Sequence, residues 1–284
     1  PLKLCDSKLS CLLPMHVRSM ALNSEQGTSS WLSVLPISDH GFALHKGAFH
    51  DAMCLRYNWQ PSNLPSHCVC GSSFTTDHAL TCPTGGFPSV RHNDLRDFTA
   101  NLLTEVCPNV CVEPPLQALT GELMSHQTSN SEDGARLDVS AQGFWGDRHQ
   151  RAFFYVRVFH PNAPSYRNMQ LPSAYRLHER QKQRSYDQRI REVEHGSFTP
   201  LVFSTSGGMG KCASVTYKRI ATLLSTKREQ TYGATIAWIR CCISFSLLRS
   251  AIMCLRGARS SQGRPFTHSA IDLAVAEAKV PTFV

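Results

Sequence analysis

The sequence predicts a mixed α/β (α+β) fold, and three observations point there. Apolar residues recur at helical spacing both before and after a central block. That block holds three runs rich in β-branched and aromatic residues, each closed by proline or a polar stretch. Of the 284 residues, 42% are hydrophobic, which is ample for a real core and argues against disorder as the dominant state. The order reads helix, three strands, helix, strand, then helices, the pattern of an α/β sandwich.

The first thirty residues are weakly patterned and end in the polar stretch Asn23 to Gly27. A short apolar element from Trp31 is closed by Pro36. Residues 46–57 set Phe49, Met53 and Leu55 at helical spacing, and two prolines in 60–66 mark a linker into a cysteine cluster. After Gly85-Gly86 a helix is expected over 93–106, with Asn93 as N-cap and Asp94 and Asp97 near its positive start. Leu95, Phe98, Leu102 and Val106 give it one buried face.

Strands are expected at 110–113, stopped by Pro114-Pro115, at 136–141, and at 152–159, stopped by His160-Pro161. A long helix over 174–194 ends at His195-Gly196. A buried strand at 200–203 precedes Gly207-Gly208, and helices over 211–227 and 232–256 complete the ordered part. The tail beyond reads as loose.

The formal net charge is +8, which fits a polyanionic partner: DNA, with RNA as a second candidate. The chain begins at Pro1, which reads as a fragment, a processed chain or a copy missing its upstream part. No secretory signal is visible, so the 12 cysteines are expected as reduced thiols and metal ligands in an intracellular setting. Residues 234–255 are long and apolar enough to imitate a membrane span, but Arg240 and Arg249 lie inside. Each would cost about 2.5–3.5 kcal/mol near a bilayer centre, so a buried helix is expected and no membrane partner.

Cys68, Cys70, His78 and Cys82 fall within fifteen positions, with Gly71 after the second cysteine. Two close cysteines and a His-x3-Cys turn can supply the four ligands of a tetrahedral zinc ion, although the one-residue first gap is tighter than usual. With all four positions filled by protein, the expected role is structural. Cys54 reads as a buried thiol that could serve as a spare ligand. Downstream, Arg91-His92-Asn93 at an expected helix start offers donors suited to phosphate, or serves only as a cap with a surface arginine.

A third group carries possible chemistry. Asp138 stands between apolar neighbours in a strand and needs a partner: a cation such as Arg157, or a metal ion. Alternation sets Tyr155 and Arg157 on one face of the third strand. Tyr175, Glu179, Lys182 and Tyr186 form one stripe on the long helix, continued by Ile190 and Val193, which draws Glu179 and Lys182 toward the core boundary.

In ordered combination, CVCGSSFTTDHALTCPTGG, RHNDLRDF, ARLDVSAQGFWG and AFFYVRVFHP resemble the C-terminal part of non-LTR retrotransposon polyproteins, over residues 30–260. There a Cys-Cys-His-Cys knuckle and an Arg-His-Asn motif precede a restriction-like endonuclease of the PD-(D/E)XK class. The resemblance implies a restriction-endonuclease-like αβββαβ core, Mg²⁺ or Mn²⁺ as catalytic ion, an upstream reverse transcriptase, a nuclear setting and nicking of target DNA. Asp138 matches the acid of the second core strand, and Arg157 matches the basic position of the third. The acid position of the third strand holds Tyr155, and a phenol cannot replace a carboxylate as an Mg²⁺ ligand at neutral pH.

The expected organisation is a mostly helical segment at 1–60, the knuckle and Arg-His-Asn motif at 61–92, the nuclease-like core at 93–210, C-terminal helices at 211–260 and a tail at 261–284. Three functions compete. In a metal-dependent hydrolase, Asp138 would bind magnesium, Glu113 or Glu179 complete the site, and Lys182 (with Tyr186 nearby) or Arg157 stabilise the phosphate. In a zinc-containing nucleic-acid-binding module there would be no catalysis. An apolar, interaction-only remnant is disfavoured by the positive charge.

Overall fold

A computed structural model describes residues 14–117 and 136–257. The expectations for 1–13, for the loop within 118–135 and for the tail from 258 lie outside these residues. Among the described residues the fold is mixed α/β, with eight α-helices and a four-stranded mixed sheet. The contacts divide into two compact units.

The first unit gathers residues 14–87, 205–208 and 241–257. It contains α1 (Pro14–Asn23), α2 (Ser30–Ser33), a single 3-10 turn (Ser38–His40), α3 (Lys46–Tyr57) and α4 (Thr76–Thr81). To these it adds the C-terminal part of α8 (Tyr232–Arg256). That helix buries residues on several sides. Cys241, Phe245 and Leu248 meet Trp31 and Ala52, while Ala251 and Cys254 meet Leu80 and Phe87. A helix apolar all round belongs in a core or a bilayer. Its 25 residues are long and apolar enough for a span, but 56% of its most apolar window is buried within the protein. Arg249 donates to the carbonyls of Gly41 and Ala43. Arg256 holds the buried Asp51 carboxylate through two bonds of 2.6 Å.

The second unit comprises residues 88–117, 136–204 and 209–240. Its elements are α5 (Phe87–Val106), β1 (Cys111–Val112), β2 (Val139–Gln142), β3 (Arg151–Phe159), α6 (Leu171–Glu192), β4 (Ser197–Ser204) and α7 (Lys211–Lys227). The strand order is β1-β2-β3-β4. The first two pairings are antiparallel, and β3 and β4 run parallel across the α6 crossover. Alternation sends side chains to two covered faces. Phe153, Tyr155 and Phe198 pack with Tyr186 and Ile190 of α6. On the other face, Phe154 meets Phe144, and Phe203 meets Tyr217 of α7. Tyr217 in turn bonds Thr99 of α5 at 2.7 Å.

Pro200 lies inside β4, opposite Tyr155. It fits because β4 is the sheet's edge strand, where a missing N–H costs no ladder bond. Gly196 begins the approach to that strand: a Cβ there would come within 2.6 Å of the Arg151 carbonyl. The glycine expected as a helix stop is therefore also required by close backbone packing.

Three expectations are corrected. The helix expected from Asn93 begins at Phe87, with Pro88 in its first turn, so Asn93 lies inside the helix and caps nothing. Asp138 sits just before β2 rather than in mid-strand. The C-terminal helices form no segment of their own: α7 belongs to the second unit, and 241–257 to the first.

Candidate functional site

The cysteine cluster lies in the first unit. The chain turns tightly at Cys68, where the Gly71 N–H bonds the Cys68 carbonyl at 2.9 Å. Gly71 takes a φ of +87°, which favours glycine. A bridge between His67 and Ser73 closes the loop. Thr75 then caps α4 by accepting from the His78 N–H at 3.1 Å, and Cys82 follows at the helix end. One helical turn thus brings His78 and Cys82 back over the cysteine turn.

The four ligand atoms lie within 4.8 Å of one another. Cys68 Sγ and Cys82 Sγ are 3.9 Å apart, and Cys70 Sγ and His78 Nε2 are 3.3 Å apart. A tetrahedron with Zn–S near 2.3 Å and Zn–N near 2.0–2.1 Å has edges of about 3.8 and 3.6 Å. Cys68, Cys70 and Cys82 are free thiols rather than disulfide partners in this structure. Backbone and side-chain bonds from Ser72 bring the exposed Cys70 thiol down to about 6, favouring the thiolate a metal needs, while burial pushes the Cys68 thiol up. The cluster can hold a metal ion such as zinc. Cys54 is not among its ligands; it lies 3.8 Å from His50 Nδ1.

The second group lies in the second unit and centres on Asp138. His92 Nε2 stands 2.9 Å from its Oδ1, and the Val156 N–H donates to its Oδ2 at 2.6 Å. Tyr155, only 8% exposed, belongs to the apolar cluster with Leu116, Leu137 and Ile190. Burial, followed by the Asp138 charge, raises its phenol well above the ordinary value. Lys182 Nζ lies 4.3 Å from the Tyr155 ring centre and 5.8 Å from that of Tyr186. Burial and the nearby Arg157 lower the Lys182 ammonium, and Asp138 opposes them. Arg157 itself is exposed.

Asp138, Tyr155, Lys182, Tyr186 and Arg157 therefore share one neighbourhood. The other expected acids are committed elsewhere. Glu113 pairs with Arg96. Glu179 is buried and accepts from the Cys212 N–H at 2.9 Å, capping α7. A Cβ at Gly210 would come within 2.5 Å of the Glu179 carboxylate, so a larger residue there would push that cap aside. Among the described residues, the cysteine cluster is the one group of three or more possible ligand atoms.

Of the Arg-His-Asn motif, Arg91 is only 4% exposed and His92 faces Asp138, so neither offers the helix-start phosphate contact expected. His178, four residues before Lys182 on the same stripe, also lies in this neighbourhood. It is 2% exposed, packs against Phe159 and Tyr166, and its Nε2 has no hydrogen-bond partner. No family model matches the chain, and no curated protein matches it.

Proposed function

We propose that the chain is the zinc-clasp and nuclease-like region of a non-LTR retrotransposon polyprotein, a DNA-binding piece whose core is silenced at Tyr155. The carrying observation is the neighbourhood of Asp138, Tyr155 and Lys182. One acid and one cation converge as a restriction-like endonuclease requires, with an aromatic ring where the second acid would stand. The element order α5-β1-β2-β3-α6-β4 supports the αβββαβ core that the resemblance implies. Zinc, held by Cys68, Cys70, His78 and Cys82, acts as a structural clasp because no position is left for water.

The residues present do not fit a catalytic magnesium or manganese ion. Both Asp138 oxygens already accept hydrogen bonds, and Tyr155 keeps its proton. Hard divalent ions want several oxygen ligands, and no second carboxylate gathers there among the described residues. The wild-type chain accordingly binds nucleic acid without cutting it, in a nuclear setting beside an upstream reverse transcriptase. The test is binding to a labelled DNA duplex together with supercoiled-plasmid nicking in Mg²⁺ or Mn²⁺. Salt-sensitive binding without nicking is expected; loss of binding at low salt, or nicking by the wild type, contradicts the proposal.

A further inference from the structure

Helix α6 carries a feature that the Asp138 neighbourhood does not use. Its inward stripe holds Tyr175, His178, Lys182, Tyr186 and Ile190. Roughly opposite, at 3.6 residues per turn, lie Arg176, Arg180 and Arg184. All three are exposed. Their spacing of four residues makes them one row, sweeping about 80° around the helix.

The row runs against what the helix itself prefers. Like charges at i,i+4 repel each other. The positive end of the helix dipole favours acids in the first turns, yet the first turn of α6 has none and Arg176 stands in its second. Farther along, the arginines are provided for: Arg191 pairs with Asp187, and Arg189 donates to the Gln117 carbonyl. The row is not. Among the described residues, Arg176 donates to the Ser173 hydroxyl at 3.2 Å and no carboxylate pairs with Arg176, Arg180 or Arg184. Local preferences broken without compensation among the described residues are consistent with a surface shaped by a partner.

We infer that Arg176, Arg180 and Arg184 form a phosphate-binding ridge that grips the backbone of duplex DNA, on the face of α6 turned away from Asp138. Four helical residues rise roughly 6 Å, so the three guanidinium groups are spread over roughly 12 Å and can each meet a different phosphate of a backbone that carries one charge per roughly 3.4 Å of axis on each strand. Each guanidinium presents the planar fork of donors that suits a phosphate. Backbone contacts of this kind position a duplex without reading its sequence.

This inference rests on the chain being DNA-binding, and its test separates the two. Binding of the full chain to a 30-base-pair duplex is measured from 50 to 200 mM salt by fluorescence anisotropy. The variant Arg176→Gln/Arg180→Gln/Arg184→Gln is expected to lower the magnitude of the slope of log K against log[salt] by about 2.7, at 0.9 per phosphate contact. The three corresponding Arg→Lys changes should keep most of that slope. Removal of three exposed charges elsewhere, through Arg148→Gln/Lys211→Gln/Lys218→Gln, should change it less. A wild type that binds no DNA overturns both the ridge and the DNA-binding reading. Strong binding with an unchanged slope in the Gln variant overturns the ridge alone. So does a row needed for single-stranded RNA but not for the duplex, or equal loss in the Lys variant, which would mark a structural role.

Discussion

Lys182 Nζ lies 4.3 Å from the centre of the Tyr155 ring, and the Asp138 carboxylate faces the same neighbourhood from the edge of β2. A cation over an aromatic face is a stable substitute for a cation beside a carboxylate. The second unit can therefore pack this strand against α6 without a second acid at position 155. Tyr155 is simultaneously a core residue, stacked on Tyr186 at 5.8 Å between ring centres.

The cysteine cluster makes the first prediction. The purified chain should carry one zinc ion, and Cys82→Ser or treatment with a strong chelator should remove it. Cys68 and Cys82 are buried and pack with Phe74, Ala79 and Leu255, so metal loss should destabilise the first unit. Metal analysis and thermal melting read the two effects. A melting temperature unmoved by complete zinc removal would count against a structural clasp.

The Asp51–Arg256 pair makes the second. The Asp51 side chain is 4% exposed, and Arg256 holds its carboxyl below the usual range. Arg256→Met should cost about 1–3 kcal/mol, because it removes the two strongest hydrogen bonds to a buried carboxylate while His50 and solvent at the Arg256 end soften the loss. Asp51→Asn/Arg256→Met should recover part of that loss. For a carboxylate with a depressed folded value, the pair's contribution is present above the unfolded value near 3.8 and is lost as the pH falls below it. Urea unfolding at neutral pH, compared across the two variants, checks the claim.

His178 makes the third. Burial, with Arg157 and Lys182 nearby, brings its imidazole down to about 4 from an ordinary 6.5. The unfolded chain takes up this proton near pH 6.5 and the folded one resists until about pH 4. Stability from this group is thus whole above 6.5 and declines between 6.5 and 4. Between pH 7.5 and 5 the loss should be about 2 kcal/mol. His178→Phe should flatten that part of the profile, as read from urea midpoints; an unchanged slope would mean that His178 is protonated in the folded protein at pH 5.

What the sequence shows of this fold is what local pattern can carry. The run 152–159 is rich in aromatic and β-branched residues, the runs 46–57, 211–227 and 232–256 keep helical spacing, and each emerges as the element expected. Asn93 has the chemistry of a cap, but Pro88, in the first turn just after Gly85-Gly86, is the stronger start signal, and α5 begins there. The cysteine ligands are legible because all four fall within fifteen positions. The bond between His92 and Asp138 spans 46 residues and the Glu179 cap on α7 spans 33, and no local spacing encodes either. Glu179 looked like a site acid because its stripe points inward; its carboxylate is drawn instead to the α7 N–H groups.

The central claim is that Tyr155, standing where a second acid is expected, is what keeps a nuclease-like core from cutting. The direct measurement is nicking of supercoiled DNA by the wild type, Tyr155→Asp and Tyr155→Asp/Asp138→Ala, in Mg²⁺ and in Mn²⁺. The account predicts an inactive wild type, cleavage by Tyr155→Asp and its loss in the double variant. Nicking by the wild type, or a folded, DNA-binding Tyr155→Asp that leaves the plasmid intact, would contradict it.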